Sequence, residues 1–231
     1  MRFITLLKKE LQEISLGIIV ALVAFALIAT LILWNRSCHP HRYRYWREEP
    51  GYSIAASEFV RYYQPLSATG PVLIIISILL GLLLPAQQFA EQEKRKAWAF
   101  IVHRSVRRST ILWAKFAAAA IAFLISLGAV WTCLYLYASR PPLFLYPPTS
   151  RTFAQGWIFI TFGLVAYAGF TLITVSEKKK CATGVVGITF AGVTCLLAVI
   201  QSSILLWLAI ILFALIALVA NIIDTFLNRE F

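Results

Sequence analysis

The sequence is short of charge, of histidine and of reactive sulfur, and each shortage removes a class of function. Only 13% of its 231 residues are Asp, Glu, Lys or Arg, against roughly 25% in a soluble domain, so the chain reads as a membrane protein. The three histidines, His39, His41 and His103, all lie in polar segments. No apolar run therefore offers the axial ligand of a membrane haem or the base of an intramembrane protease. No clearly intramembrane position carries a charge either: Lys115 and Asp224 are expected near cytoplasmic span ends, within reach of the interface. Ion-coupled transporters keep ionisable groups at mid-membrane, and none is expected here. There is no G-x-x-x-x-G-K-[ST] loop, so no nucleotide site and no enzymatic activity of its own are expected, and no cofactor is assigned. The four cysteines, Cys38, Cys133, Cys181 and Cys195, show no CxxC and no metal spacing, which argues against a disulfide framework. The cluster Cys38-His39-Pro40-His41 offers soft ligands, but no fourth ligand is evident and Arg42 and Arg44 crowd it, so no metal is assigned.

What fills the sequence is apolar: 60% of residues are hydrophobic. Uncharged runs at about 14–34, 71–90, 112–137, 154–175, 182–200 and 203–226 each approach the ~20 residues a helix needs to cross a bilayer. Lipid cannot satisfy free backbone groups, so the runs are expected as helices. The first is too long for a signal-peptide core and reads as a retained span. The expected fold is all-α: one polytopic domain over 1–231 with six transmembrane helices, preceded by an interfacial helix at 1–13. The last two spans are separated only by "QSS".

The distribution of the +11 net charge fixes an orientation. With the N-terminus inside, all eight lysines fall on inner segments, and inner Lys and Arg outnumber outer ones by 14 to 7. That is the positive-inside pattern, and an even span count returns the C-terminus to the cytoplasm. The cations serve topology and anionic headgroups; no nucleic-acid partner is expected. Trp34, Tyr137 and Trp157 at outer ends and Trp113 at an inner end suit an aromatic belt. The outer loop 35–70 is long and aromatic, and 138–153 is proline-rich and stiff.

One inner stretch stands apart. "AEQEKRKAWAFIVHRSVRRSTILWAK", residues 90–115, holds two carboxylates and seven Lys or Arg between two greasy spans. Its apolar run "AWAFIV" is too short to span. It suits a helix lying along the inner interface, with Trp98, Ile101 and Val102 toward lipid or packed spans. A solvated, lipid-anchoring loop fits the residues equally well.

The order of segments, together with this stretch, resembles the ABC transporter type-2 permease family. There the segment after span two reads roughly E-x-x-x-G-T-x-x-x-L-L-x-x-P-V-S-R-x-x-I-x-x-G-K. With Ala97 on the threonine, Ile101 and Val102 fall on the leucines, Val106 on the valine and Arg108 on the arginine. Ile111, Ala114 and Lys115 then fall on the isoleucine, glycine and lysine, and Glu91 and Glu93 supply the acidic start. "LLKKELQEI" at 6–14 is similar to the family's amphipathic first helix. Two positions depart: Lys96-Ala97 replaces Gly-Thr, and Ser105 replaces the proline. The motif covers about 25 residues; the topology covers the chain. The resemblance implies a permease that pairs with a second copy or homologue, in the bilayer of the cell membrane. An ABC ATPase subunit, carrying ATP and Mg, would dock from the cytoplasm. Residues 91–110 would be the coupling segment, with Glu91, Glu93, Lys94, Arg95, Arg104 and Arg108 at the ATPase and Trp98 and Ile101 as anchors. Lys8, Lys9 and Glu10 would also touch the ATPase.

Two further features concern packing. Thr183, Gly187, Ala191 and Cys195 recur every four residues, flanked by Gly184 and Gly192, a spacing that lets helices approach closely within one subunit or across a dimer. Pro85 removes a helical hydrogen bond just before the coupling segment and is expected to kink or loosen that turn, a candidate hinge. Two other readings stay open: an ATP-independent carrier or channel, and a scaffold subunit that binds a partner through loop 35–70.

Overall fold

A computed structural model describes residues 2–38, 66, 69–90, 108–140, 148–175, 181–200 and 203–227. Within these it is helical, and among the described residues there is no β-strand. Helix α1 spans Arg2–Glu13 and α2 spans Ser15–Cys38. Helix α3 covers Thr69–Pro85 and continues as a π-helical turn, Ala86–Ala90. Helix α4 runs through three stretches, Arg108–Phe123, the π-helical Leu124–Gly128 and Ala129–Ala138. Helices α5, α6 and α7 are Ser150–Val175, Cys181–Ile200 and Ile204–Leu227. Five helices, α2, α3, α4, α5 and α7, are long and apolar enough to cross a membrane, while the described apolar part of α6, Val185–Leu197, is shorter. The chain is thus a multi-pass, membrane-type helical protein.

The expected boundaries shift in places. Helix α4 begins at Arg108, so the last three residues of the expected coupling segment 91–110 already belong to the span helix. Nothing in Ser109-Thr110 breaks a helix, and a helix can outrun its apolar stretch once hydrogen-bonding begins. Helix α2 likewise continues to Cys38, past the expected end at 34.

Side-chain contacts order the helices. Glu10, Gln88 and Lys115 meet, so the start of α2, the end of α3 and the start of α4 share one end. Phe89, Leu112, Val175 and Phe226 share one apolar cluster, which brings the ends of α5 and α7 to that same end. At the opposite end the buried Trp131 of α4 donates from Nε1 to the Phe153 carbonyl of α5 at 3.1 Å. Successive helices therefore run up and down.

Helix α5 is the centre, and glycine sets how closely others reach it. A Cβ on Gly81 of α3 would lie 2.3 Å from the Gly163 carbonyl oxygen, so the α3 and α5 backbones touch. Ser77 Oγ fastens that approach. It donates to the Ile160 carbonyl at 2.9 Å and accepts the Gly163 N–H at 3.1 Å. Without a hydrophobic driving force between helices in lipid, close contact and such bonds hold the bundle. Ser77→Ala is expected to cost about 1 kcal/mol, read as a lower midpoint in detergent unfolding.

The small residues singled out on α6 divide by face. Gly187 packs on Leu172 of α5 and Ala191 on Gly169, whereas Gly192 is exposed with nothing within 4 Å of a Cβ. Trp34, Tyr137 and Trp113 are exposed. Trp157 instead lies over Gly128, within 2.7 Å of where a Cβ would be, and packs on the core.

Candidate functional site

The sequence of α1 repeats apolar residues at helical spacing, Leu7, Leu11 and Ile14, and that stripe faces the bundle. Glu10 lies in the same stripe and is 3% exposed. Its carboxylate meets Lys115 of α4, which is fully buried, with Oε2 2.9 Å from Nζ. This corrects one expectation: Glu10 faces the bundle and not outward to a partner. An unpaired ion in such a place would be costly, so each charge holds the other. Lys115 lies near the first end of the candidate span Ser109–Ala138.

The ion pair sits in a larger polar junction. Lys115 Nζ also donates to the Gln88 carbonyl at 2.7 Å, and Gln88 Nε2 reaches back to the Lys115 carbonyl at a long 3.4 Å. Tyr167 of α5 donates its hydroxyl to Gln88 Oε1 at 2.7 Å. The Phe89 ring stands 4.9 Å from the ammonium, where its face attracts the cation. Four helices therefore meet at this junction: α1 through Glu10, α3 through Gln88 and Phe89, α4 through Lys115, and α5 through Tyr167, which bonds the Gln88 side chain.

The π-helical turn containing Gln88 and Phe89 follows directly after Pro85. Proline donates no N–H and its ring crowds the carbonyl four residues back, here Gly81. Gly81 is the residue whose neighbourhood is already filled by α5. A widened turn accommodates both constraints, and such turns recur at functional places in helices.

The ammonium is engaged by a carboxylate and a carbonyl, an arrangement that fixes geometry. Among the described residues, no group of three or more His, Cys, Asp and Glu could hold a metal. The docking residues expected from sequence, Glu91, Glu93, Lys94, Arg95, Trp98, Ile101 and Arg104, lie outside the described residues, as do His39 and His41. Arg108 is the first residue of α4. Lys8 and Lys9 are on the exposed face of α1, where Lys9 pairs with Glu13 at 3.5 Å.

Sequence reasoning missed Gln88, Tyr167 and the partnership of Lys115 with Glu10. One signal was present: a carboxylate at the centre of an amphipathic helix's apolar stripe asks for a buried cation. No family model, no curated protein and no solved structure matches the chain.

Proposed function

We propose that the chain is the transmembrane permease subunit of an ABC-type exporter, driven by ATP hydrolysis in a separate subunit. In this reading α6 completes a set of six spans, both termini face the cytoplasm and α1 lies along the inner interface of the cell membrane. Residues 91–110 form the coupling segment, and two permeases pair around the pathway. The observation that carries the reading is the charge asymmetry: every lysine of the sequence lies on segments assigned to one surface. The bundle supports it, because Lys8 and Lys9 on α1 and Lys115 on α4 belong to the same end as Ala90 and Arg108, between which the cationic segment runs. Pro85 and the π turn after it are the candidate hinge. The Glu10–Lys115 pair does not turn the reading toward an ion-coupled carrier. It sits about 10 Å along α4 from Arg108, at one rise of 1.5 Å per residue, and its charges satisfy each other.

The test is physical association. The full chain is expected to co-purify with a P-loop ATPase and to hydrolyse no ATP by itself. Arg95→Glu with Arg104→Glu is expected to strip the ATPase from membranes while the permease stays inserted. An ATPase retained at wild-type level would overturn the docking assignment. Transport by the purified chain alone in liposomes would favour the carrier reading.

A further inference from the structure

We propose that the Glu10–Lys115 pair is a two-position latch that seats α1 on the bundle or frees it. The inference stands on the described helices and does not depend on an ATPase.

Helix α1 is held along one face only. Leu7 and Leu11 are half-buried against the core and Ile14 is buried, whereas Phe3, Ile4, Lys8, Lys9 and Gln12 are exposed. The chain connects α1 to α2 through the single residue Ile14. Its N–H donates to the Glu10 carbonyl and its carbonyl accepts the Ile18 N–H, both at 3.1 Å, so that opening must break these bonds. Ser15 Oγ donates to the Gln12 carbonyl at 2.8 Å. The seat is thus a short apolar stripe with one ion pair at its middle, next to a one-residue joint.

A charge in the seat removes intermediate positions. A slide of α1 by one turn, or a partial lift, would leave a carboxylate and an ammonium in apolar surroundings without each other. Either Glu10 meets Lys115, or α1 swings away and Glu10 reaches water. The bundle side tolerates the second state. Lys115 keeps the Gln88 carbonyl at 2.7 Å and the Phe89 ring, and Gln88 keeps Tyr167. The carrier of the latch thus stays anchored in α3, α4 and α5 when α1 departs. Any acidic surface that engages Lys8 and Lys9 better on a detached α1 would shift the equilibrium to the open state.

Hydrogen exchange on the full chain in lipid nanodiscs tests this. Glu10→Gln keeps the shape and removes the counter-charge. It is expected to speed exchange of the amides from Leu7 to Glu13 at least tenfold, as one block, with the rates in α3, α4 and α5 unchanged. The double variant Glu10→Met with Lys115→Met replaces the pair by apolar contact and is expected to slow that block to the wild-type rate or below. The latch is overturned if Glu10→Gln leaves α1 at the wild-type rate. It is equally overturned if the acceleration spreads into α3, α4 and α5, which would make the pair a clamp of the whole fold. A double variant as open as the single one would also contradict it.

Discussion

Lys115→Met is expected to unseat α1 in a large share of molecules. The substitution preserves length and apolar bulk but leaves the Glu10 carboxylate alone in a seat where it is 3% exposed. Removing one partner of a buried pair costs about 3–5 kcal/mol. What opposes release is the apolar hold of α1. Full burial of a leucine or isoleucine contributes about 1.5–3 kcal/mol, and Leu7 and Leu11 are only half-buried. With the buried Ile14 added, the two sums are comparable, so release of the helix competes with bearing the charge. The expected readout is loss of protection across α1 as a unit, with the bundle still folded by far-UV dichroism. Restoring protection with the second substitution, Glu10→Met, would assign the loss to the orphaned carboxylate and not to the missing ammonium.

Gly163→Ala is expected to be strongly destabilising. Its Cβ would stand 2.3 Å from Ser77 Oγ, 2.4 Å from the Phe123 ring and 2.5 Å from the Ser77 carbonyl oxygen. Two of those three belong to α3, one of them backbone, so no rotamer change clears the space. The α3–α5 seam must open and its Ser77 bonds must lengthen. Overpacking in a close-packed core costs about 1–3 kcal/mol, and backbone contact puts this case at about 3 kcal/mol or above. The control is Gly192→Ala, where a Cβ meets nothing within 4 Å. Alanine favours a helix over glycine by about 1 kcal/mol, so that variant is expected to be neutral or more stable. Unfolding midpoints of the two variants, measured side by side in detergent, check both statements.

Much of the architecture was legible from hydropathy because a bilayer imposes one length on every span. Runs at 14–34, 71–90, 112–137, 154–175 and 203–226 fall on α2, α3, α4, α5 and α7. The polar junction was less legible. Hydropathy reads Lys115 by its distance from a span end, whereas its burial depends on Glu10, 105 residues earlier in the chain. Glycine presented a similar difficulty. The stripe on α6 repeats every four residues and draws the eye, yet the contact of backbone on backbone joins Gly81 and Gly163, which belong to no four-residue repeat. Close approach depends on which helix arrives opposite, and a single sequence holds no record of that. Pro85 was visible as a perturbation, but its expression as a π turn that presents Gln88 to Lys115 required Gly81 to be already crowded by α5.

The orientation of the helical bundle is the claim on which the functional reading rests, and residue accessibility in intact cells tests it most directly. On a background with the native cysteines replaced, Lys94→Cys and Ser150→Cys would each be exposed to a membrane-impermeant maleimide. Ser150 begins α5 at the end of the bundle opposite Lys115 and is itself exposed. The account predicts rapid labelling at position 150 and labelling at position 94 only after the cells are broken. Labelling of position 94 in intact cells, with position 150 protected, would contradict it.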